Sequence, residues 1–305
     1  MRKGNKTLTY LLISLSVVFW GISFILTKEL FITEEHMTVT ILIALRLAIA
    51  TVVMLPALFI TQAIKHSSIK VILPRREDLK WFLLLALCEP FIYHLCETSG
   101  VQLVSGSLAS VVIATIPLFV PFGMWIAYRQ HIGLRLLVGV VLSLGGVFIL
   151  IAGGDSLGGN AKGMLFLSGA VVIAVVYTLL LVKIVKRYKP LTITTWQNLI
   201  GLIYFLPLVF LLDGHELPLL SYSPHMLTIL LVLGICCSTL AYAFYNLGVR
   251  VLGASEACIF NNAIPVFSLI AAILIGQETF SWLKVLGIVV VIAGVIIAQF
   301  EPQHK

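Results

Sequence analysis

The sequence predicts an all-α polytopic membrane protein, with ten transmembrane helices arranged as two inverted five-helix repeats. Three observations carry this expectation. Hydrophobic residues make up 60% of the 305-residue chain and charged residues only 11%, against about 25% charged in soluble domains; the mean hydropathy is +1.10. The apolar runs are continuous over about 20 residues, the length a helix needs to cross a bilayer, whereas barrel strands alternate over about 10. Finally, residues 107 to 149 return, shifted by 148 positions, as 255 to 297.

The repeat rests on residues with special backbone roles. Ser107, Ala109, Ile116, Pro117 and Phe119 align with Ser255, Ala257, Ile264, Pro265 and Phe267, and Gly139, Val141, Gly146 and Val147 with Gly287, Val289, Gly294 and Val295. Apolar letters coincide by chance, but aligned Pro and Gly mark fixed backbone geometry. Weaker echoes extend the match: Pro56 answers Pro207, Ser23 and Lys28 answer Thr178 and Lys183, and Gly100-Val101 answers Gly248-Val249. The predicted units are 1–152 and 153–305.

Taken in order, the spans are 8–27, 38–62, 80–99, 105–127, 134–151, 163–183, 192–212, 226–247, 254–275 and 282–299. The basic N-terminus with Arg2, Lys3 and Lys6 opens the first span rather than a signal peptide, because its apolar run is too long and lacks a small-residue cleavage site. Connections are short, and no segment is left for a soluble domain. The net charge of +7 sits in loops between apolar runs, which is topology rather than phosphate binding, so no nucleic-acid partner is expected. With the N-terminus inside, sixteen Lys and Arg fall on the cytoplasmic side and only Lys28, Lys162 and Lys284 outside, with Arg46 inside a span. Both termini are therefore expected in the cytoplasm, across an inner or plasma membrane. Equivalent helices lie five crossings apart, an odd number, so the two units point oppositely through the bilayer. Inverted units exchange conformations around a central site, which implies alternating access.

Several segments carry a family resemblance: Phe19-Trp20-Gly21 with Ser23-Phe24; Ala241-Tyr242 through Tyr245-Asn246 to Gly253-Ala254-Ser255-Glu256-Ala257; Phe260 to Phe267; Gly276-Gln277-Glu278; and the run from Gly287 to Gly294. In this order they resemble the EamA-type transporters of the drug/metabolite transporter superfamily, over nearly the whole chain. The resemblance implies a secondary transporter, an exporter or exchanger, of a small metabolite such as an amino acid. The family's Gly-Glu after the ninth helix is interrupted here by Gln277, and its first-half counterpart, Arg129-Gln130, lacks the acid, so Glu278 is read as a helix cap.

Ionisable groups inside a span are costly and mark functional sites. Glu89, Tyr93 and Glu97 recur every four residues with His94 between them, placing carboxylates, a phenol and an imidazole on one helix face. Glu97 and His94 are candidates for binding protons or a substrate. Glu89 is a third proton-coupling candidate, although its nearness to the cytoplasmic end favours water around it. Tyr242, Tyr245 and Asn246 take the matching positions in the second half, where the alternative for the tyrosines is an interfacial belt. Asn261 and Asn262 sit mid-span before Pro265, and Pro117 and Pro265 are predicted helix break points that free the carbonyls of Ile113 and Asn261. Trp20 and Tyr177 complete the candidate substrate-binding set as aromatic walls. Arg46 is read as structural, snorkelling or pairing with Glu34 or Glu35 near the outer end.

Gly139, Gly145, Gly146, Gly287 and Gly294 suit close helix packing, within the scaffold or in a homodimer. The five cysteines, Cys88, Cys96, Cys236, Cys237 and Cys258, show no CxxC and no ligand spacing, so neither a metal nor a cofactor is expected. No GxxxxGK[ST] motif is present, which points to gradients rather than ATP. Two rival readings stand beside the transporter of small metabolites. A nucleotide-sugar or phosphate-ester carrier needs a cationic clamp at midplane, and a membrane-embedded enzyme would use His94 and Glu97 as acid and base.

Overall fold

The computed structural model describes residues 6–64, 73–129, 134–152, 161–253, 257 and 260–299; the boundary expected at 152/153, Cys258 and most of 254–259 fall outside them. Seven helices are long and apolar enough to span a membrane and three shorter apolar helices accompany them, ten in all among the described residues. In chain order they are α1 (Lys6–Thr33), α2 (Val39–Ile64), α3 (Leu79–Leu103), α4 (Gly106–Ile113 and Ile116–Tyr128), α5 (Leu134–Ala152), α6 (Ala161–Ile184), α7 (Pro190–Asp213), α8 (Pro224–Val251), α9 (Phe260–Ile275) and α10 (Trp282–Gln299).

Two of the interrupted helices, α4 and α9, carry a proline at the break. In α4 the helix stops after Ile113 and restarts at Ile116, with Pro117 in the first turn of the new segment. A proline is tolerated there because the first-turn N–H groups have no intrahelical partner anyway. In α9 a 3-10 turn, Phe260–Ala263, precedes Ile264–Ile275, and Pro265 occupies the matching first-turn position. A second matched pair lies in α3 and α8. Both contain π-helical stretches, Leu87–Ile92 and Val232–Leu240, immediately before Tyr93 and Ala241. Such bulges rotate the helix that follows and recur at functional sites.

Packing repeats the symmetry. A Cβ on Gly146 of α5 would lie 2.7 Å from the Val291 nitrogen and 2.8 Å from the Gly287 oxygen of α10. A Cβ on Gly294 of α10 would lie 2.7 Å from the Gly139 oxygen and 2.7 Å from the Ser143 nitrogen of α5. Gly146 and Gly294 are repeat equivalents, as are Gly139 and Gly287, so α5 and α10 meet antiparallel through one surface used twice. This is the reciprocal contact that a two-fold axis lying in the membrane plane produces. The predicted small-residue stripes are thus spent inside the chain. Gly145 meets nothing within 4 Å.

The two halves also interlock. Gly100 of α3 backs onto Leu167 of α6, and Gly248 of α8 onto Ile13 of α1, so each third helix packs on the first helix of the other half. A larger apolar core, holding Phe24, Phe82, Leu167 and Leu269, is flanked by a smaller one around Leu42, Phe205 and Leu233.

Candidate functional site

A cavity of about 80 Å³ lies between α1, α2, α3, α4, α6, α8 and α9. Since a single water needs about 10–15 Å³ on this measure, it holds a few waters or a very small solute. A larger metabolite requires the halves to part.

The lining follows from the helix breaks. Ile113 and Ile116 flank the interruption of α4, their equivalents Asn261 and Ile264 flank that of α9, and all four face the cavity. Asn261 is 8% exposed and its Oδ1 has no protein partner among the described residues; the same holds for the indole Nε1 of Trp20. Trp20 lies between two rings of α8, with centroids 5.1 Å from Tyr242 and 5.1 Å from Tyr245. Tyr177 of α6 and Tyr93 of α3 complete an aromatic wall.

Against this wall, in contact with Tyr93 and Tyr242, stands a charged cluster. His94 places Nε2 3.3 Å from Glu89 and Nδ1 3.4 Å from Glu97, and all three residues are 4% exposed. Thr98 donates to Glu97 at 3.1 Å, and the Tyr242 hydroxyl donates to Glu89. A neutral imidazole carries one N–H and can donate to only one of the two carboxylates at a time. The three groups thus form one buried polar cluster on the cavity wall.

Two sequence expectations need correction here. Glu89 is not in water near the cytoplasmic end. It lies ten residues into α3, about 15 Å at the helical rise, and its backbone leaves helical geometry (φ −140°, ψ 114°). Its freed carbonyl accepts from Gln197 of α7 at 3.0 Å while its carboxyl reaches Tyr242 and His94. Arg46 does not reach Glu34 or Glu35. It is 3% exposed, lines the cavity, and donates from Nε to Ser238 at 3.3 Å. Glu34 instead accepts from Ser221 at 2.7 Å and from Ser223 at 3.4 Å. Arg46 starts two turns inside α2, too far from the end to snorkel.

Trp20, Glu89, Tyr93, His94, Glu97, Tyr177, Tyr242, Tyr245 and Asn261 come together around the cavity. Asn246 and Asn262 do not line it. Each follows a lining residue by one position, about 100° round the helix; Asn246, fully buried, donates instead to Thr194 of α7 at 3.0 Å. Sequence reasoning missed Arg46, Ser23 and Thr178. The last two had been aligned as repeat equivalents, and that pairing was the available signal.

Polar networks lie toward both ends of the helix bundle. On the side where α4 begins, Glu278 accepts from Ser107 Oγ at 2.6 and 2.7 Å, from the Ser107 N–H at 3.3 Å and from Lys284 at 2.8 Å. It thus takes a first-turn N–H of α4, whose N-cap is Ser105, across the bundle from its own α9–α10 connection. Beside it Gln277 donates to Glu29 at 2.6 Å, and Lys28 donates to the Val101 and Gln102 carbonyls at 3.2 and 2.9 Å. On the N-terminal side Asp78 accepts from Arg187 at 2.8 Å and from the Tyr188 hydroxyl at 2.7 Å, and Arg250 holds the Tyr188 carbonyl at 3.2 Å. Burial, first of all, raises the Tyr188 phenol above its ordinary pKa, so it remains a donor to Asp78.

A sequence model of the EamA-like transporter family matches twice, over residues 7–152 and 161–300. The chain belongs to this family. Curated relatives of this EamA-like chain include an uncharacterized transporter of Archaeoglobus fulgidus, 26% identical over 94% of this chain and 97% of its own length. The uncharacterized transporter YetK of Bacillus subtilis is 25% identical over 88% and 81%, and the uncharacterized inner membrane transporter YicL of Salmonella typhimurium 20% over 99% and 98%. A solved crystal structure of a protein superposes with a TM-score of 0.69 at 16% identity, covering 94% of this chain and 96% of the other. That likeness is one of fold. The protein is accordingly a multi-pass membrane transporter.

Proposed function

We propose that this EamA-like protein is a secondary transporter that exports or exchanges a small zwitterionic metabolite, such as an amino acid, by alternating access between its two five-helix units, 1–152 and 153–305. One observation carries the proposal: residues flanking both symmetry-related helix breaks meet at a single buried cavity that also holds the charged cluster. Rocking one unit on the other opens either end while the cavity residues stay in place.

The chemistry of the lining sets the substrate class. Arg46 offers one cationic fork to a carboxylate, Glu89 and Glu97 offer anionic partners to an ammonium group, and Trp20, Tyr93, Tyr177, Tyr242 and Tyr245 pack its side chain. A phosphate ester would meet two carboxylates against a single Arg, an unfavourable balance. The proton held by Glu89, His94 and Glu97 leaves when an ammonium group arrives, which couples substrate to proton without ATP. The Lys and Arg bias of the loops supports cytoplasmic termini.

The test is counterflow in proteoliposomes over a panel of small zwitterions. Saturable, trans-stimulated flux is expected for at least one. In Glu97→Gln the pH dependence of that flux should flatten. A Glu97→Gln protein with wild-type rate and unchanged pH dependence removes the proton role, and non-saturable flux removes the carrier.

A further inference from the structure

A second, larger cavity of about 570 Å³ lies outside the charged site, between α4, α5 and α6. Along α6 its lining runs from Met164 to Leu179, fifteen residues, or about 22 Å at the helical rise. It is therefore a slot along the membrane normal. Among the described residues Thr115 and Ser168 are its only polar ones, and both hydroxyls already donate within their own helices, to the Val112 carbonyl at 2.6 Å and the Met164 carbonyl at 2.8 Å. Among the described lining residues no donor is left to give a polar ligand, so a bound polar acceptor would go unpaired.

Its mouth is continuous with the lipid-facing surface. Ile126 is 75% exposed and Val172 62%, which in a membrane protein means exposed to acyl chains. The charge at one end is equally specific. Arg129, exposed, ends α4 two residues beyond the lining residue Ala127, and Arg135 begins α5 at the same membrane face. Cations at that level complement an anionic headgroup.

We propose that the slot binds a phospholipid, with one acyl chain lying along α6 between α4 and α5 and the anionic phosphate at the Arg129 end. The placement has a consequence for the helix break. Val112 and Thr115 line the slot while Ile113 and Ile116 line the charged cavity, so the interruption of α4 is the wall between the two. A chain in the slot braces that wall.

The experiment is native mass spectrometry of the full-length protein, delipidated in detergent and titrated with phosphatidylglycerol or phosphatidylcholine. Wild type should retain one phosphatidylglycerol in preference to phosphatidylcholine. Val172→Trp and Leu144→Trp, which fill the slot from α6 and α5, should each lower retention at least tenfold, whereas Val52→Trp on the exposed face of α2 should leave it unchanged. Arg129→Gln should remove most of the headgroup preference. No retained lipid in wild type, undiminished retention in both slot variants, or an equal loss in Val52→Trp overturns the site. An unchanged preference in Arg129→Gln overturns the headgroup placement.

Discussion

Glu278 joins the α9–α10 connection to the start of α4, and an alternating-access protein must break that junction to open this end. Its carboxylate is 8% exposed and takes bonds from Ser107 and from Lys284, itself 15% exposed. Glu278→Gln keeps the shape and one acceptor oxygen but removes the charge. Charge-assisted hydrogen bonds contribute about 1.5–3 kcal/mol each, and the partial exposure of Lys284 takes the ion-pair share toward the lower figure. A loss of about 2 kcal/mol in the closed form shifts the closed-to-open ratio about 30-fold. The assay is a cysteine-free background carrying Thr27→Cys, on α1 and 1% exposed, with an impermeant maleimide added on the Glu278 side. Labelling should accelerate at least tenfold in Glu278→Gln. If the labelling rate stays within twofold of the parent while the melting temperature falls, the contact is a helix cap alone and the gating argument is refuted.

The remaining predictions concern the repeat. Gly146→Leu and Gly294→Leu should destabilise alike, by about 1–3 kcal/mol each from overpacking, while Gly145→Leu, with open space around its Cβ, should not; unequal losses at the two equivalent glycines in detergent melting curves would contradict the reciprocal contact. Asn261→Ile copies the first-half residue Ile113 and removes a buried Oδ1 without a protein partner, so the melting temperature should hold or rise while substrate flux falls at least tenfold. Flux at the parent rate would take Asn261 out of the binding set.

Hydrophobic run length was enough to place the helices, and the aligned prolines 117 and 265 were enough to place both interruptions. These are local properties: a proline dictates its own backbone and a twenty-residue apolar run its own span. What lay beyond reach was the rotation of helices against each other. Arg46 read as a snorkelling residue because its depth in α2 is legible and its facing is not. Glu89 read as solvated because its facing is not legible from spacing alone; the π-helical stretch and its non-helical φ/ψ, which turn it into the bundle, leave no local sequence signal beyond Pro90. Asn246 and Asn262 were grouped with their neighbours, although one residue along a helix is enough to leave a cavity.

The symmetry of the scaffold and the asymmetry of the pocket answer different demands. Inverted halves give the two open states nearly equal packing: α5 on α10 is the same contact read in either direction, and α3 on α6 exchanges with α8 on α1. Near-equality matters because a carrier that strongly preferred one state would pay for that preference on every return. Direction must then come from the residues the symmetry does not preserve. His94 and Glu97 face Tyr242 and Tyr245 across the pseudo-axis, and Ile113 faces Asn261. One half therefore brings charged and imidazole groups, the other rings and an amide. A substrate that pairs with the first and stacks on the second therefore meets different chemistry on the two sides of the pseudo-axis, and a bias between the two open states can arise only from such differential contacts.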